Sequence, residues 1–199
     1  MTRWRGYSCP ETGTSRGSVN RVRVIAGTHR GRKIQAPETS DTRPVMDYVK
    51  ESLFSSIFEE VPGAAVLDLY AGAGSFGIEA ISRGADSTVF VESGRRALEA
   101  LRANLAALGI DATVVAGPAE RFVRETTSRF DLVFCDPPWP VSSSDVAEVL
   151  ANLVHALDDD TTVVITRKTG DEVPQVAGLR IDDVRAHGDT TIIRYVMDR

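Results

Sequence analysis

The stretch Ala65-Val66-Leu67-Asp68-Leu69-Tyr70-Ala71-Gly72-Ala73-Gly74-Ser75-Phe76-Gly77 passes from a short apolar run, through a glycine-rich turn, into an amphipathic segment. An apolar run bounded in this way reads as a strand buried on both faces, and residues 76–82 after it read as a helix. The same rhythm recurs downstream. Apolar runs at 88–91, 113–116, 131–135 and 162–166 alternate with predicted helices at 95–108, 119–126 and 145–157. Buried strands alternating with helices predict an α/β fold, a doubly wound and mostly parallel Rossmann-like sheet. Residues 179–185 and 190–197 read as two closing strands, an antiparallel hairpin at the sheet edge.

Upstream, Val45, Val49, Leu53, Ile57 and Val61 recur every fourth residue with Phe54 and Phe58 beside them, which predicts one apolar stripe on a helix ended by Pro62-Gly63. Arg21 to Ala26 and Arg32 to Ala36 alternate in character around the turn Gly27-Thr28-His29-Arg30-Gly31, so a β-hairpin with a basic tip and face is expected. Residues 37–44 read as a loop. Residues 1–19, rich in Gly, Ser, Thr, Pro and Arg, read as a flexible leader. The expected organisation is thus a leader at 1–19, a basic hairpin extension at 20–43, and an α/β domain at 44–199.

The 199 residues are 42% hydrophobic and 26% charged, enough for one sizeable core, which excludes a disordered chain, a collagen and a disulfide-built miniprotein. No apolar stretch approaches the roughly 18 to 20 residues that span a bilayer, and the N-terminus lacks the apolar segment of a secretory signal, so a cytosolic protein is expected. Cys9 and Cys135 form neither a disulfide framework nor a metal-ligand spacing; Cys135, inside an apolar run, reads as a buried small hydrophobe. His29, His155 and His187 are scattered, and no metal is expected. Residues 1–35 carry eight basic side chains against one acid, while the rest of the chain is acidic enough to bring the net charge to −5. A basic head on an acidic body suits a polyanion docking at one end, and a solvated tail is the alternative.

Gly72 and Gly74 fall where the first sheet strand gives way to a helix, so a ligand can approach bare backbone there. Gly72-x-Gly74-x-x-Gly77 alone also fits a dinucleotide site, with Glu92 at the end of the next strand as a ribose-binding acid. Asp68 before the turn would repel a pyrophosphate but accept hydrogen bonds from an ammonium group. S-adenosylmethionine carries an ammonium, a sulfonium and no phosphate. The run 131–135 leads into Asp136-Pro137-Pro138-Trp139 at the carboxyl end of a central strand. A base amine is a poor nucleophile because its lone pair is delocalised into the ring. Asp136 and the Pro137 carbonyl can each accept an N–H and turn that pair outward, and Trp139 offers a face on which the base can stack.

These residues bring the chain close to a known group. It resembles the class I S-adenosylmethionine-dependent methyltransferases and, more narrowly, the bacterial family that methylates N2 of guanine 966 in 16S ribosomal RNA. The resemblance covers nearly all of 20–199. It rests on Arg23-Val24-Ile25-Ala26-Gly27 with Arg30-Gly31-Arg32-Lys33, on Thr42-Arg43-Pro44 with Asp47 and Val49-Lys50-Glu51-Ser52-Leu53-Phe54, on Asp68 through Gly77, and on Asp136 through Trp139. It implies a seven-stranded sheet preceded by a hairpin that grips RNA. Asp68, Gly72, Gly74 and Glu92 would bind cofactor, and Asp136, Pro137 and Trp139 would form the target-amine site. Arg21, Arg23, Arg30, Arg32, Lys33 and Arg43 are the basic residues expected to face RNA. The partner implied is 16S RNA, in the small subunit or an assembly intermediate, met by a monomer. Three positions depart from the pattern. Pro118 precedes Ala119 where an acid or Asn is common, leaving adenine to backbone near Ala119 or to Glu120. Val45-Met46 replaces a Thr-Thr pair. Arg167-Lys168, read as a solvated loop after the fifth strand or as an addition to the RNA face, stands where acids are common. Adenine-N6 or glutamine-N5 methylation, a nicotinamide oxidoreductase and a non-catalytic RNA-binding module are the alternatives.

Overall fold

Val66, Leu67, Asp68 and Leu69 are all buried, which requires a strand covered on both faces at the middle of a sheet. The computed structural model describes residues 22–36 and 47–198. In chain order the elements are β1 (Val22–Arg23), β2 (Lys33–Ile34), α1 (Asp47–Ser56), β3 (Ala65–Leu69), α2 (Ser75–Ser82), β4 (Ser87–Glu92), α3 (Arg95–Leu108), β5 (Thr113–Ala116), α4 (Ala119–Glu125), β6 (Phe130–Cys135) and α5 (Ser143–Leu153). A 3-10 turn at Val154–Ala156 leads into β7 (Leu157–Lys168), followed by β8 (Leu179–His187) and β9 (Thr190–Met197). β3 to β9 form one seven-stranded sheet in the order β5-β4-β3-β6-β7-β9-β8, and β1 pairs with β2 in a separate antiparallel hairpin. The first five of those seven strands are parallel, whereas β9 runs antiparallel to both β7 and β8. The chain winds outward from β3 in one direction and from β6 in the other, so a crevice opens above their carboxyl ends.

One apolar cluster joins Val49, Leu53, Phe54 and Ile57 of α1 and its following turn to Phe76 of α2 and to Phe134, Val164 and Ile192 of the sheet. A second seats the hairpin residues Val22, Val24 and Ile34 against Ile78, Phe90 and Leu101. The opposite face packs α4 and α5 through Ala119, Val123, Val146 and Leu150. Cys135 is buried there, as expected. Among the described residues, no helix is long and apolar enough to cross a membrane.

The predicted elements stand with local corrections. α1 ends at Ser56 and the chain continues as turns, so the helical phase is lost before Phe58, which is 64% exposed rather than part of the buried stripe. The helix predicted at 145–157 spans Ser143–Leu153, and Leu157 already belongs to β7. Arg167 and Lys168 lie inside β7, not in a loop, because β9 extends the pairing to Lys168 opposite Thr190. The leader, the loop at 37–44 and Val45-Met46 lie outside the described residues.

The hairpin is fastened by polar groups that no periodicity reveals. Glu79 of α2 is fully buried and accepts from Ile25 N at 2.7 Å and Ala26 N at 3.0 Å. Lys50 of α1, equally buried, donates to Arg23 O at 2.6 Å and lies 3.4 Å from Glu79, while Arg83 donates to Glu79 at 2.8 Å. Burial lowers the pKa of the Lys50 ammonium against the opposing pull of Glu79. Gly27, at φ 81, lies so close to α2 that a Cβ there would sit 1.6 Å from Ser82 O. Removing Glu79 leaves a buried ammonium without its counter-charge and two partly buried amides without their acceptor. Glu79→Ala is therefore expected to lower stability by about 3 kcal/mol or more, read as a fall in the urea midpoint at pH 7.

Candidate active site

The carboxyl ends of β3, β4 and β6 bring together Asp68, Glu92 and Asp136. Asp68 is buried, and its Oδ2 accepts from Gly77 N at 2.8 Å while Oδ1 is buried with no hydrogen-bond partner. Burial pushes its pKa well above the usual carboxylate range; the Gly77 N–H opposes this, and the negative charges of Asp136 and Glu92 add to it. An orphaned acceptor under this electrostatic load fits an incoming cation, and the ammonium of S-adenosylmethionine is such a group. The dinucleotide alternative would bring anionic phosphate towards the same carboxylates.

The three glycines do different work. At Gly72, with φ 57, an added Cβ would meet nothing nearer than 4.0 Å, so its backbone faces open space. Gly74, with φ 86, is the residue before α2, and a Cβ there would come within 2.6 Å of Leu101 and 3.0 Å of Ile78. Its side is covered by the protein itself, so only Gly72 offers the bare approach that the sequence suggested for both. A Cβ at Gly77 would strike the Phe90 ring at 2.3 Å.

Glu92 braces this loop. Its Oε2 accepts from Gly72 N at 2.7 Å, and its Oε1 accepts from Ser93 N at 2.8 Å and Gly94 N at 2.6 Å. A carboxylate has about four acceptor directions, so three backbone amides leave room for one further donor, enough for a single ribose hydroxyl. Glu120 does turn inward, accepting from the Tyr70 hydroxyl at 2.8 Å. Tyr70 is the only non-glycine with positive φ among the described residues, and burial drives its hydroxyl pKa upward. Ala119 begins α4 behind Pro118, with its side chain in the core.

Asp136 is placed by a hydrogen bond from its own N–H to Leu69 O at 3.3 Å, which ties β6 to the end of β3. The Thr166 hydroxyl, facing it from β7, donates to Asp136 Oδ1. Burial raises the Asp136 pKa to about 6, and the Thr166 bond pulls the other way. Pro137 is buried, Pro138 is exposed, and Trp139 is 40% exposed with the Lys168 ammonium 5.6 Å above its ring. Val141 N donates to Pro138 O at 2.9 Å, and Ser142 then caps α5 in a reciprocal pair with Asp145, so the loop is short and closed at both ends. Thr166 escaped the sequence reading because its role depends on β7 lying beside β6.

On the hairpin, Arg23, Arg30, Arg32 and Lys33 are all exposed. Arg23 pairs with Asp47 at 2.8 Å, and Arg32 donates to Ala107 O at the carboxyl end of α3 at 2.7 Å. Arg21 and Arg43 lie outside the described residues. Arg167 is buried on the α5 face and bonded to Asp171 at 2.9 Å, so it adds nothing to an exposed basic face. No group of three His, Cys, Asp or Glu among the described residues is placed to hold a metal ion.

Comparison with known proteins shows a family and relatives that the chain resembles. The family described as Conserved hypothetical protein 95 matches residues 22–196. The chain is 34% identical over 162 residues to the Bacillus subtilis (strain 168) protein named "Putative rRNA methyltransferase YlbH", covering 79% of this chain and 88% of that one. It is 37% identical over 119 residues to "Ribosomal RNA small subunit methyltransferase D" of Escherichia coli (strain K12), covering 59% of this chain and 60% of the relative. Among solved structures, "Putative methyltransferase yhhF from Escherichia coli" superposes with a TM-score of 0.79 at 29% identity, over 89% of this chain and 98% of that one.

The raised pKa of Asp68 has a consequence for stability. Its neutral form suits the folded state better, so its contribution is fullest below the unfolded value of about 3.8 and is lost as pH rises towards the higher folded value. Asp68→Asn keeps an acceptor for Gly77 N–H and cannot ionise. In urea titrations without added ligand the variant is expected to be more stable than the wild type at pH 8, and the difference should close by about pH 4.

Proposed function

We propose, from the premise that the chain belongs to the Conserved hypothetical protein 95 family, that it transfers a methyl group from S-adenosylmethionine to the exocyclic N2 amine of a guanine in 16S ribosomal RNA. The ribosomal RNA methyltransferase names of its relatives support the reaction class. The observation that carries the reading is the meeting of Asp68, Glu92 and Asp136 around one open glycine, beside a proline-stiffened loop that ends in an exposed indole. Such a site suits a cationic donor on one side and a flat amine-bearing ring on the other.

Asp68 and Glu92 would hold the donor, through an ammonium at Asp68 Oδ1 and one ribose hydroxyl at Glu92. When bound, S-adenosylmethionine supplies an electrophilic methyl carbon on a sulfonium. The chain's own residues prepare the amine. Thr166 occupies Asp136 Oδ1, so the carboxylate is fixed and Oδ2 is the oxygen that accepts one amine N–H; the Pro137 carbonyl accepts the other. With both hydrogens held, the nitrogen lone pair points away from the ring and the positive charge growing on nitrogen meets a fixed anion. Trp139 stacks on the base. In the transfer the N–C bond would form as the S–C bond breaks, the bonding pair staying on sulfur as a neutral thioether. The product ammonium then releases its proton to Asp136 or to water.

On the hairpin, Arg30 and Lys33 are the proposed phosphate contacts. Arg23 and Arg32 already have partners, so each would hold the hairpin as well as meet RNA. The substrate reading, 16S RNA within the small subunit or an assembly intermediate, follows the relatives' names and the resemblance.

The deciding experiment labels small subunits from a strain lacking this protein with tritiated S-adenosylmethionine and maps the modified nucleoside. N2-methylguanine supports the proposal, and methyladenine would sink it. Asp136→Ala should leave donor affinity nearly unchanged in calorimetry while single-turnover transfer falls about 100-fold or more. Because Asp136 must be ionised to accept the amine N–H, wild-type transfer should decline on the acid side of about pH 6, tenfold per unit, with no matching loss of donor binding. Replacing Arg30 and Lys33 by alanine should flatten the salt dependence of RNA binding, and an unchanged slope would remove them from the interface.

A further inference from the structure

At the carboxyl edge of the sheet a row of side chains connects the proposed target pocket to the hairpin. It starts at Trp139, over whose ring the Lys168 ammonium sits at 5.6 Å. Lys168 ends β7 and pairs in register with Thr190 of β9, which pairs in turn with His187 at the end of β8. Directly opposed residues on neighbouring strands point to the same face, so these three stand side by side. The His187 ring lies 6.1 Å from that of Tyr48 in the first turn of α1, tilted by 58°. Next to Tyr48, Asp47 binds Arg23 of the hairpin at 2.8 Å.

Tyr48 is 47% exposed, although α1 otherwise turns Val49, Lys50, Leu53 and Phe54 inward. Its hydroxyl end rests over the β8–β9 turn, where a Cβ on Gly188 would lie 3.4 Å away. His187 against one side of the ring and the turn beneath its tip leave a large aromatic surface held in place and presented outward, with little rotamer freedom to lose on contact. Exposed cations flank it, Lys168 on one side and Arg23 on the other. Fixed aromatic faces between cationic side chains are how proteins hold single-stranded nucleic acid, because every base has a π-face and every nucleotide a phosphate.

We infer that Tyr48 is a stacking ledge for the base of a 16S RNA nucleotide flanking the methylated guanine, on the strand that runs from the target pocket to the hairpin. The inference rests on the proposed function for the identity of the RNA. Three strand spacings separate β6 from β8, about 14 Å. That is too far for Tyr48 to touch the target base held at Trp139, so the ledge takes a neighbour and acts on RNA binding rather than on methyl transfer itself.

The test compares wild type, Tyr48→Ala and Tyr48→Trp in filter binding to 16S RNA transcribed in vitro, across a salt series, and in methylation of small subunits from the deficient strain. Tyr48→Ala is expected to bind RNA about tenfold more weakly or worse, and to raise KM for the particle with kcat little changed. Its salt slope should match the wild type because no charge is removed. Tyr48→Trp should restore binding, and the donor affinity and urea midpoint of both variants should stay at wild-type values. Wild-type affinity in Tyr48→Ala overturns the ledge, and so does a loss that Tyr48→Trp fails to restore. Wild type that binds the RNA but transfers no methyl overturns the proposed function while the binding comparison still judges the ledge. Methyl transfer by both wild type and Tyr48→Ala with equal KM overturns the ledge alone.

Discussion

A single buried carboxylate, that of Glu79, fixes the hairpin to the rest of the molecule. Its two oxygens receive the consecutive amides of Ile25 and Ala26, with Arg83 donating to Oε1 and the Lys50 ammonium near Oε2. Burying these charges is costly, and apolar side chains filling the same volume would avoid that cost but leave the Ile25 and Ala26 amides without an acceptor. What apolar packing would not supply is direction. Two adjacent amides meeting two oxygens of one carboxylate define where the hairpin backbone starts and which way it faces. Ser82, one turn later on α2, repeats the device by donating to Ala26 O at 2.5 Å and accepting from His29 N at 2.9 Å.

The same helix opens at the glycine turn and gives the Gly77 amide to Asp68, so the proposed donor site and the hairpin are built on the two ends of one eight-residue element. Asn104 of α3 adds a second tie. Its amide exchanges two hydrogen bonds with the backbone of Gln35 in the hairpin and donates a third to Ala73 O in the glycine turn, at 2.9 to 3.0 Å. A side-chain amide used this way mimics a peptide bond and satisfies backbone groups that would otherwise be buried alone. The position of the hairpin relative to the donor site is thus specified by hydrogen bonds on two sides.

Periodicity made the sheet legible. The strand at Ala65–Leu69, the helix at Arg95–Leu108 and the strand at Thr113–Ala116 fall where the apolar pattern places them, because burial on both faces, or on one helical stripe, leaves a local signature. Polar contacts between distant segments leave none. Glu79 looks like any helical glutamate until Ile25, 54 residues earlier, folds onto it. Thr166 meets Asp136 only because β7 chooses β6 as its neighbour. Phe58 misled for the opposite reason, since its place in the four-residue repeat assumed a helix that had already ended at Ser56. At the site, residue types and placement were readable, but the division of labour was not. Gly74 is needed against Leu101, and Glu92 spends most of its acceptor capacity on its own loop.

These constraints bear on how a small site can position a target carried by a very large RNA. Effective methyl transfer needs the reacting atoms within about 3 to 3.5 Å and aligned, and an ångström of misplacement costs orders of magnitude in rate. Three attachment points must agree on that position. In the proposed function the donor would be held over β3 and β4, the amine over β6 and β7, and the RNA strand on the hairpin. Asp136 N bonded to Leu69 O locks the first to the second across the crevice, while Glu79 and Asn104 lock the first to the third. A hairpin joined by apolar packing alone could slide along α3 and carry the RNA with it, since dispersion contacts have little directional preference. The directional bonds forbid that sliding, so the buried carboxylate fixes the hairpin's position as well as giving the Ile25 and Ala26 amides their acceptor.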